Sequence, residues 1–109
     1  MIVNGKEYPL FYGGLALEKI SQYARANNMT DINSVMLNAG LLFQAQVAFV
    51  GITEYCRINK LECDIVSAEQ VLDGIKKITD LKPALDGYLD FAKEFYHVED
   101  SEGESQGAM

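Results

Sequence analysis

The side chains best suited to chemistry are Cys56, Cys63 and His97, the two cysteines and the only histidine of the 109-residue chain. A nucleophilic triad needs a base held in register with its nucleophile. His97 instead opens the segment HVEDSEGESQGAM, which offers little that could fix an imidazole ring. A tetrahedral zinc site needs about four nitrogen or sulfur ligands, commonly with two cysteines in a CxxC pair. Six residues separate Cys56 from Cys63 and no CxxC motif occurs, so no metal site is expected. The two thiols read as free, because a disulfide between them would require a tight chain reversal after Ile58.

Carboxylates are the next candidates. Most fall on the polar faces of helices, where solvation and pairing with residues such as Lys76 and Lys77 accounts for them. Gly13-Gly14 lacks the GxGxxG or GxxxxGK[ST] frame of a phosphate loop and reads as a turn before a helix. The acidic end lacks the ligand spacing of a calcium loop. The reading is therefore of a protein with no catalytic residue, no metal and no cofactor, which is not an enzyme.

Composition points the same way. The chain is 49% hydrophobic and 23% charged, which suits one domain with a modest core. A formal charge of -7 disfavours contact with nucleic acid phosphates or anionic lipid, leaving another protein as the expected partner. The start, MIVNGKEYPL, lacks the features of a secretory signal, and the most apolar stretch, residues 41–52, is interrupted by Gln44 and Gln46. A cytoplasmic protein without a membrane span is expected.

The elements that position these residues can be read in order. Asn4-Gly5 accepts the positive φ angles of a type I′ turn, so Ile2-Val3 and residues 8–12 are predicted to pair as a small, peripheral β-hairpin within residues 1–12. Pro9 would place the second strand at an edge or a bulge. Over residues 15–26, Ala16, Leu17, Ile20, Tyr23 and Ala24 share one side at ~100° per residue, predicting an amphipathic helix. Asn27-Asn28 would end it, and Thr30 or Asp31 would cap a short helix carrying Ile32, Val35 and Met36, with residues 38–40 as a joint.

Leu41–Ile58 carries apolar side chains at nearly every angle, predicting a central helix surrounded by others. Ser67-Ala68-Glu69-Gln70 has the form of a capping box, and Val71, Leu72, Ile75 and Ile78 would line one face of the helix it starts. Asp80 and Pro83 would begin a last helix over residues 81–96. There every apolar side chain falls within an arc of about 160°, with Lys82, Asp86, Asp90, Lys93 and Glu94 opposite. An arc of about 100° suffices to seat a helix on a core, so the margins, Leu89 and Phe91 with Tyr96 beside Leu89, should be partly available. For Phe91, Phe95 and Tyr96 two readings stand together: packing on the central helix, or a groove for a partner. Substituting Phe91 would distinguish them, the second reading expecting binding to suffer more than folding. Residues 97–109, with Glu99, Asp100, Glu102 and Glu104, are expected to be a disordered acidic tail behind a single domain spanning 1–96.

The opening IVNGKEYPLFYGGLALEKISQY resembles the start of tail assembly chaperones of long, flexible-tailed bacteriophages: a short hairpin through a turn glycine, an apolar strand, then a helix carrying Leu-x-x-Ile. The mostly buried helix, the capped helix at Ser67, and the amphipathic last helix with its acidic end agree in outline, so the similarity covers residues 1–96. The resemblance implies a non-enzymatic protein that binds the tape-measure protein, and also the tail tube protein in a frameshift-extended form, keeping the former soluble until tube subunits polymerise. It implies work in the host cytoplasm and absence from the finished virion. A structural subunit of the tail or head-tail junction and a bacterial helical adaptor remain as alternatives, and self-association into a homo-oligomer stays open. The expected fold is mostly α, with an N-terminal hairpin and a compact bundle of about four to five helices. The expected contact residues are Leu89, Phe91, Phe95 and Tyr96.

Overall fold

In the computed structural model, which describes residues 1–26 and 40–97, the chain starts with an antiparallel pair, β1 (Ile2–Val3) and β2 (Lys6–Glu7). Ile2 faces Glu7 and Val3 faces Lys6 in register. Asn4 and Gly5 turn the chain with φ of 53° and 77°, both in the left-handed region that the Asn-Gly pair tolerates. The second strand thus comes earlier in the chain than the residues 8–12 that the sequence suggests. The two-residue turn fixes this register: Lys6 and Glu7 are the first residues able to pair with Val3 and Ile2. Tyr8 still exchanges two hydrogen bonds with Met1, its N–H donating to the Met1 carbonyl at 2.7 Å and its carbonyl accepting from the N-terminal ammonium at 3.1 Å; the pairing stops there, so exposed Pro9 breaks no strand hydrogen bond.

The hairpin is small but it is not peripheral. Val3 is fully buried and Met1 is buried with it, beside Ile52, Ile65, Val71 and Leu81. The Asn4 N–H donates to the carbonyl of Gly74 at 2.8 Å, and a Cβ on Gly74 would lie 2.5 Å from a Val3 methyl. Docking onto the chain's own core therefore depends on a glycine at that point of the facing helix.

Four α-helices follow among the described residues: α1 (Gly14–Ala26), α2 (Leu41–Ile58), α3 (Ala68–Gly74) and α4 (Lys82–Phe95). A short 3-10 turn, Ile78–Leu81, leads into α4. With the hairpin, this is the mostly α architecture expected from the sequence. Helix α2 is the centre: α1, α3 and α4 all pack on it, and its Ala45, Val47, Ala48, Val50 and Ile52 are buried. Its ends are not surrounded, since Leu41 and Ile58 are each 47% exposed. Length explains this, because α2 has 18 residues against 13 in α1 and 14 in α4. At ~1.5 Å per residue, either neighbour falls several ångströms short of covering it.

Ser67 caps α3 as expected, its hydroxyl accepting the Gln70 N–H at 3.1 Å. Gln70 reaches one residue further than a capping box requires: its Oε1 accepts from the Val66 N–H at 2.8 Å and its Nε2 donates to the Asp64 carbonyl at 3.1 Å. Helix α3 ends at Gly74, so Ile75 and Ile78 do not extend its apolar face as the spacing suggested. Ile75 is in extended conformation and Ile78 is 58% exposed. The cause is the hairpin, which takes the Gly74 carbonyl as an acceptor where another helical turn would use it. Asp80 accepts from the Lys76 and Lys77 N–H groups at 2.9 and 3.3 Å, and Pro83 sits in the first turn of α4. The expected end of α1 at residues 27–28, the short helix after it, the joint at 38–39 and the tail from 98 onward lie outside the described residues.

Candidate interaction surface

Helix α4 turns its arc onto the core much as its spacing dictates. Leu81, just before it, and Ala84 and Tyr88 are buried; Leu85, Leu89, Phe91 and Ala92 are half-buried against the core. The helix then outruns the core. Phe95, near the middle of the apolar arc, is 55% exposed, and Tyr96, at the helix cap, is 58% exposed. Exposure here comes from position along the axis, not around it.

Three of the four expected contact residues come together. The Phe91 and Phe95 ring centroids are 5.5 Å apart at 32°, and those of Phe95 and Tyr96 are 5.5 Å apart at 87°, near the edge-to-face geometry that aromatic quadrupoles favour. Leu89 does not join them through any ring contact; it packs half-buried at the other margin of the arc, about 160° from Phe91 by helical projection. Phe91 itself is half-buried on the core, so substituting it would disturb folding and surface together. Phe95 and Tyr96 are exposed, so substituting them should disturb the surface with little effect on folding.

Two further apolar residues adjoin this cluster and were not singled out by sequence. The Phe95 ring lies 3.7 Å from where a Cβ of Gly14 would stand, and the Phe11 ring lies 2.8 Å from where one of Gly13 would stand. Phe11 and Phe95 thus flank consecutive glycines at the start of α1. Phe11 is 37% and Leu15 45% exposed, which extends the apolar surface from the end of α4 to the first turn of α1. Phe11 had read as an ordinary strand residue and Leu15 as the first residue of a helix. Packing of α1 against α4 brings the start of α1, next to which both lie in the chain, up to Phe95.

Below this surface, Tyr12 locks the helices. It is buried, its hydroxyl donates to the Val47 carbonyl at 2.9 Å, and its ring meets that of Tyr88 edge to face at 6.3 Å. Burial drives the Tyr12 hydroxyl well above the ordinary range of a tyrosine and pushes that of Tyr88 up to about 12. Both remain neutral at physiological pH.

The other concavities carry different chemistry. Between α1 and α2 a cavity of about 520 Å³ is lined by Lys19, Gln22, Tyr23, Ala26, Phe49, Val50 and Thr53. Its ammonium is committed, since Lys19 donates to Glu54 at 2.8 Å. Glu54 is 1% exposed on α2 and also receives Arg57 through Nε at 3.0 Å and Nη2 at 2.8 Å. The Arg57 guanidinium, assisted by Lys19, holds the Glu54 carboxyl below the usual carboxylate range against the opposing effect of burial. A carboxylate held ionised by two cations is a poor general base, so this triad reads as structural.

His97 is exposed past the end of α4, and its backbone N–H donates to the Glu94 carbonyl at 3.3 Å. Among the described residues no group of three or more His, Cys, Asp or Glu side chains is placed to hold a metal ion, and no helix is long and apolar enough to cross a membrane. The chain matches no family model, no curated protein and no solved structure.

Proposed function

We propose that this protein is an assembly chaperone of the long-tailed phage type, which holds the tape-measure protein in soluble form by covering its apolar helical stripes. The observation that carries this reading is the exposed aromatic cluster of Phe95 and Tyr96, backed by Phe91 and continued by Phe11 and Leu15. Aromatic rings suit such work because each buries a large area while freezing few torsions. Apolar burial contributes about 25 cal/mol per Å² and has no directional requirement. Contact of this kind forms along a repetitive helical stripe without demanding one sequence, and it yields when tube subunits compete for the same stripe. The similarity of the N-terminal segment to tail assembly chaperones selects the tape-measure protein from among helical partners. The acidic balance of the chain, -7 overall, would keep the complex dispersed in the host cytoplasm.

Co-expression tests the proposal. The protein should copurify with its tape-measure protein and move that protein from the pellet to the soluble fraction. Absence of binding would refute the assignment. A structural subunit of the tail or head-tail junction would use the same apolar surface permanently, so mass spectrometry of purified virions separates the two: a chaperone is absent from finished particles and a structural subunit persists.

A further inference from the structure

We propose that Cys56 and Cys63 form a redox-modification site, a dithiol that peroxide converts to an intramolecular disulfide fastening the end of α2 to the segment that anchors the hairpin. The chain reversal that the sequence did not demand is present. Lys60 adopts φ 57°, and the Leu61 N–H donates to the Cys56 carbonyl at 2.9 Å, folding the chain back over the helix end. Cys63, two residues on, is thereby returned to the side of Cys56, near enough to act on its thiol. Both cysteines are free and half-buried, and both line one cavity of about 260 Å³ together with Lys6, Tyr8, Tyr55 and Asp64. That volume admits a molecule as small as hydrogen peroxide.

The chemistry balances with peroxide as the only co-reactant. The Cys63 sulfur attacks one peroxide oxygen; the O–O bond breaks, one oxygen stays as a sulfenic acid and the other leaves as water. The Cys56 sulfur then attacks the Cys63 sulfur, forming S–S and breaking S–O, and the Cys56 proton leaves with the hydroxyl as a second water. Two thiols are oxidised and one peroxide is reduced. The order comes from environment: burial, reinforced by the neighbouring Cys63, pushes the Cys56 thiol up to about 11, which disfavours Cys56 as the thiolate that meets peroxide and leaves the first attack to Cys63.

The bond would matter because Asp64, the neighbour of Cys63 in the chain, holds the hairpin. Its carboxylate accepts from Lys6 Nζ at 2.9 Å and from the Tyr8 hydroxyl at 2.9 Å, so the segment tied to α2 is the one that grips the hairpin. Closing a loop of this size restricts the unfolded chain and should raise Tm by roughly 5 °C or more.

The test treats the intact protein with hydrogen peroxide and reads its mass, its iodoacetamide-reactive thiols and its Tm. The expected result is a monomer lighter by about 2 Da, with both thiols protected, a raised Tm, and full reversal by dithiothreitol. Retention of two alkylatable thiols, conversion only to oxygenated cysteines, or disulfides formed only between molecules would each overturn the proposal. Cys56→Ser and Cys63→Ser should each abolish the mass loss and the Tm shift. The wild-type mass measurement decides the matter even if a serine variant folds poorly.

Discussion

Gly51→Ala should destabilise the protein by about 2 kcal/mol, although alanine is the better helix former by roughly 1 kcal/mol. The sign is decided by Tyr12. A Cβ on Gly51 would overlap the Tyr12 hydroxyl and lie 2.5 Å from its Cζ, and the ring has little room to shift, because Gly87 of α4 also closes on its Cδ2–Cε2 edge, with a prospective Cβ only 3.3 Å away. The backbone is tied at the same point, where the Phe11 N–H donates to the Gly51 carbonyl at 3.0 Å. Removing the ring should cost more still: Tyr12→Ala is expected to lose about 3 to 5 kcal/mol, and Tyr12→Phe only about 1 kcal/mol for the hydrogen bond to Val47. For a domain whose net stability is about 5 to 15 kcal/mol, the alanine variant should lose a large share of it. Urea denaturation checks the series, and a Gly51→Ala variant more stable than the parent would show that Tyr12 is not wedged between α2 and α4.

The second large effect belongs to Glu54. Truncating one member of a buried ion pair typically costs about 3 to 5 kcal/mol, but Lys19 and Arg57 keep 39% and 49% of their side-chain surface in water and can resolvate. Glu54→Ala should therefore cost about 2 kcal/mol, with Glu54→Gln milder because the amide retains one acceptor. The pH dependence arises from the same contacts. Arg57 and Lys19 hold the folded carboxyl below its ordinary value of 4.5, so its stabilisation is fully present above that pH. As pH falls from 4.5 through the lower folded value, the unfolded chain binds a proton that the folded one resists, and the contribution is lost. The parent should accordingly lose more stability than Glu54→Gln over that interval in acid urea titrations. Parallel curves for the two proteins would mean that Glu54 titrates as an ordinary surface carboxylate.

Neither Gly51 nor Glu54 was legible in the sequence, and both failures have physical causes. Gly51 sits inside an apolar helical run, where it looks like one more small residue; the partner that requires it, Tyr12, lies before a different helix. Glu54 comes just after the most apolar part of that run, and nothing beside it in the chain marks it as buried. Arg57 is three residues on, but its other cation, Lys19, is 35 residues away and meets it only through the packing of α1 on α2. Local signals fared better. Asn4-Gly5 set the hairpin turn, the serine at 67 set the start of α3, and the periodicity of residues 81–96 set the buried face of α4. Where sequence and structure part over the hairpin, the difference is one of register: a two-residue turn starts the pairing at Lys6 and Glu7, so that only Tyr8 of residues 8–12 reaches a partner, Met1.

The contact surface was legible in the same partial way. Helical spacing located Phe91, Phe95 and Tyr96 on or beside the apolar arc, but an angular projection carries no information about where a core ends along the axis. That end falls between Phe91 and Phe95, and it separates a half-buried ring from exposed ones. Phe11 and Leu15 join the surface through tertiary contact between α1 and α4, which no periodicity within either segment encodes.

The most direct test of the central claim is the double variant Phe95→Ser with Tyr96→Ser, assayed for capture of the tape-measure protein and for thermal unfolding in parallel. Both side chains are more than half exposed, so Tm should move by no more than a few degrees. Loss of two aromatic anchors should weaken binding by about 100-fold or more and return the tape-measure protein to the pellet. Undiminished capture by a folded double variant would contradict the account and move the partner surface elsewhere on the molecule.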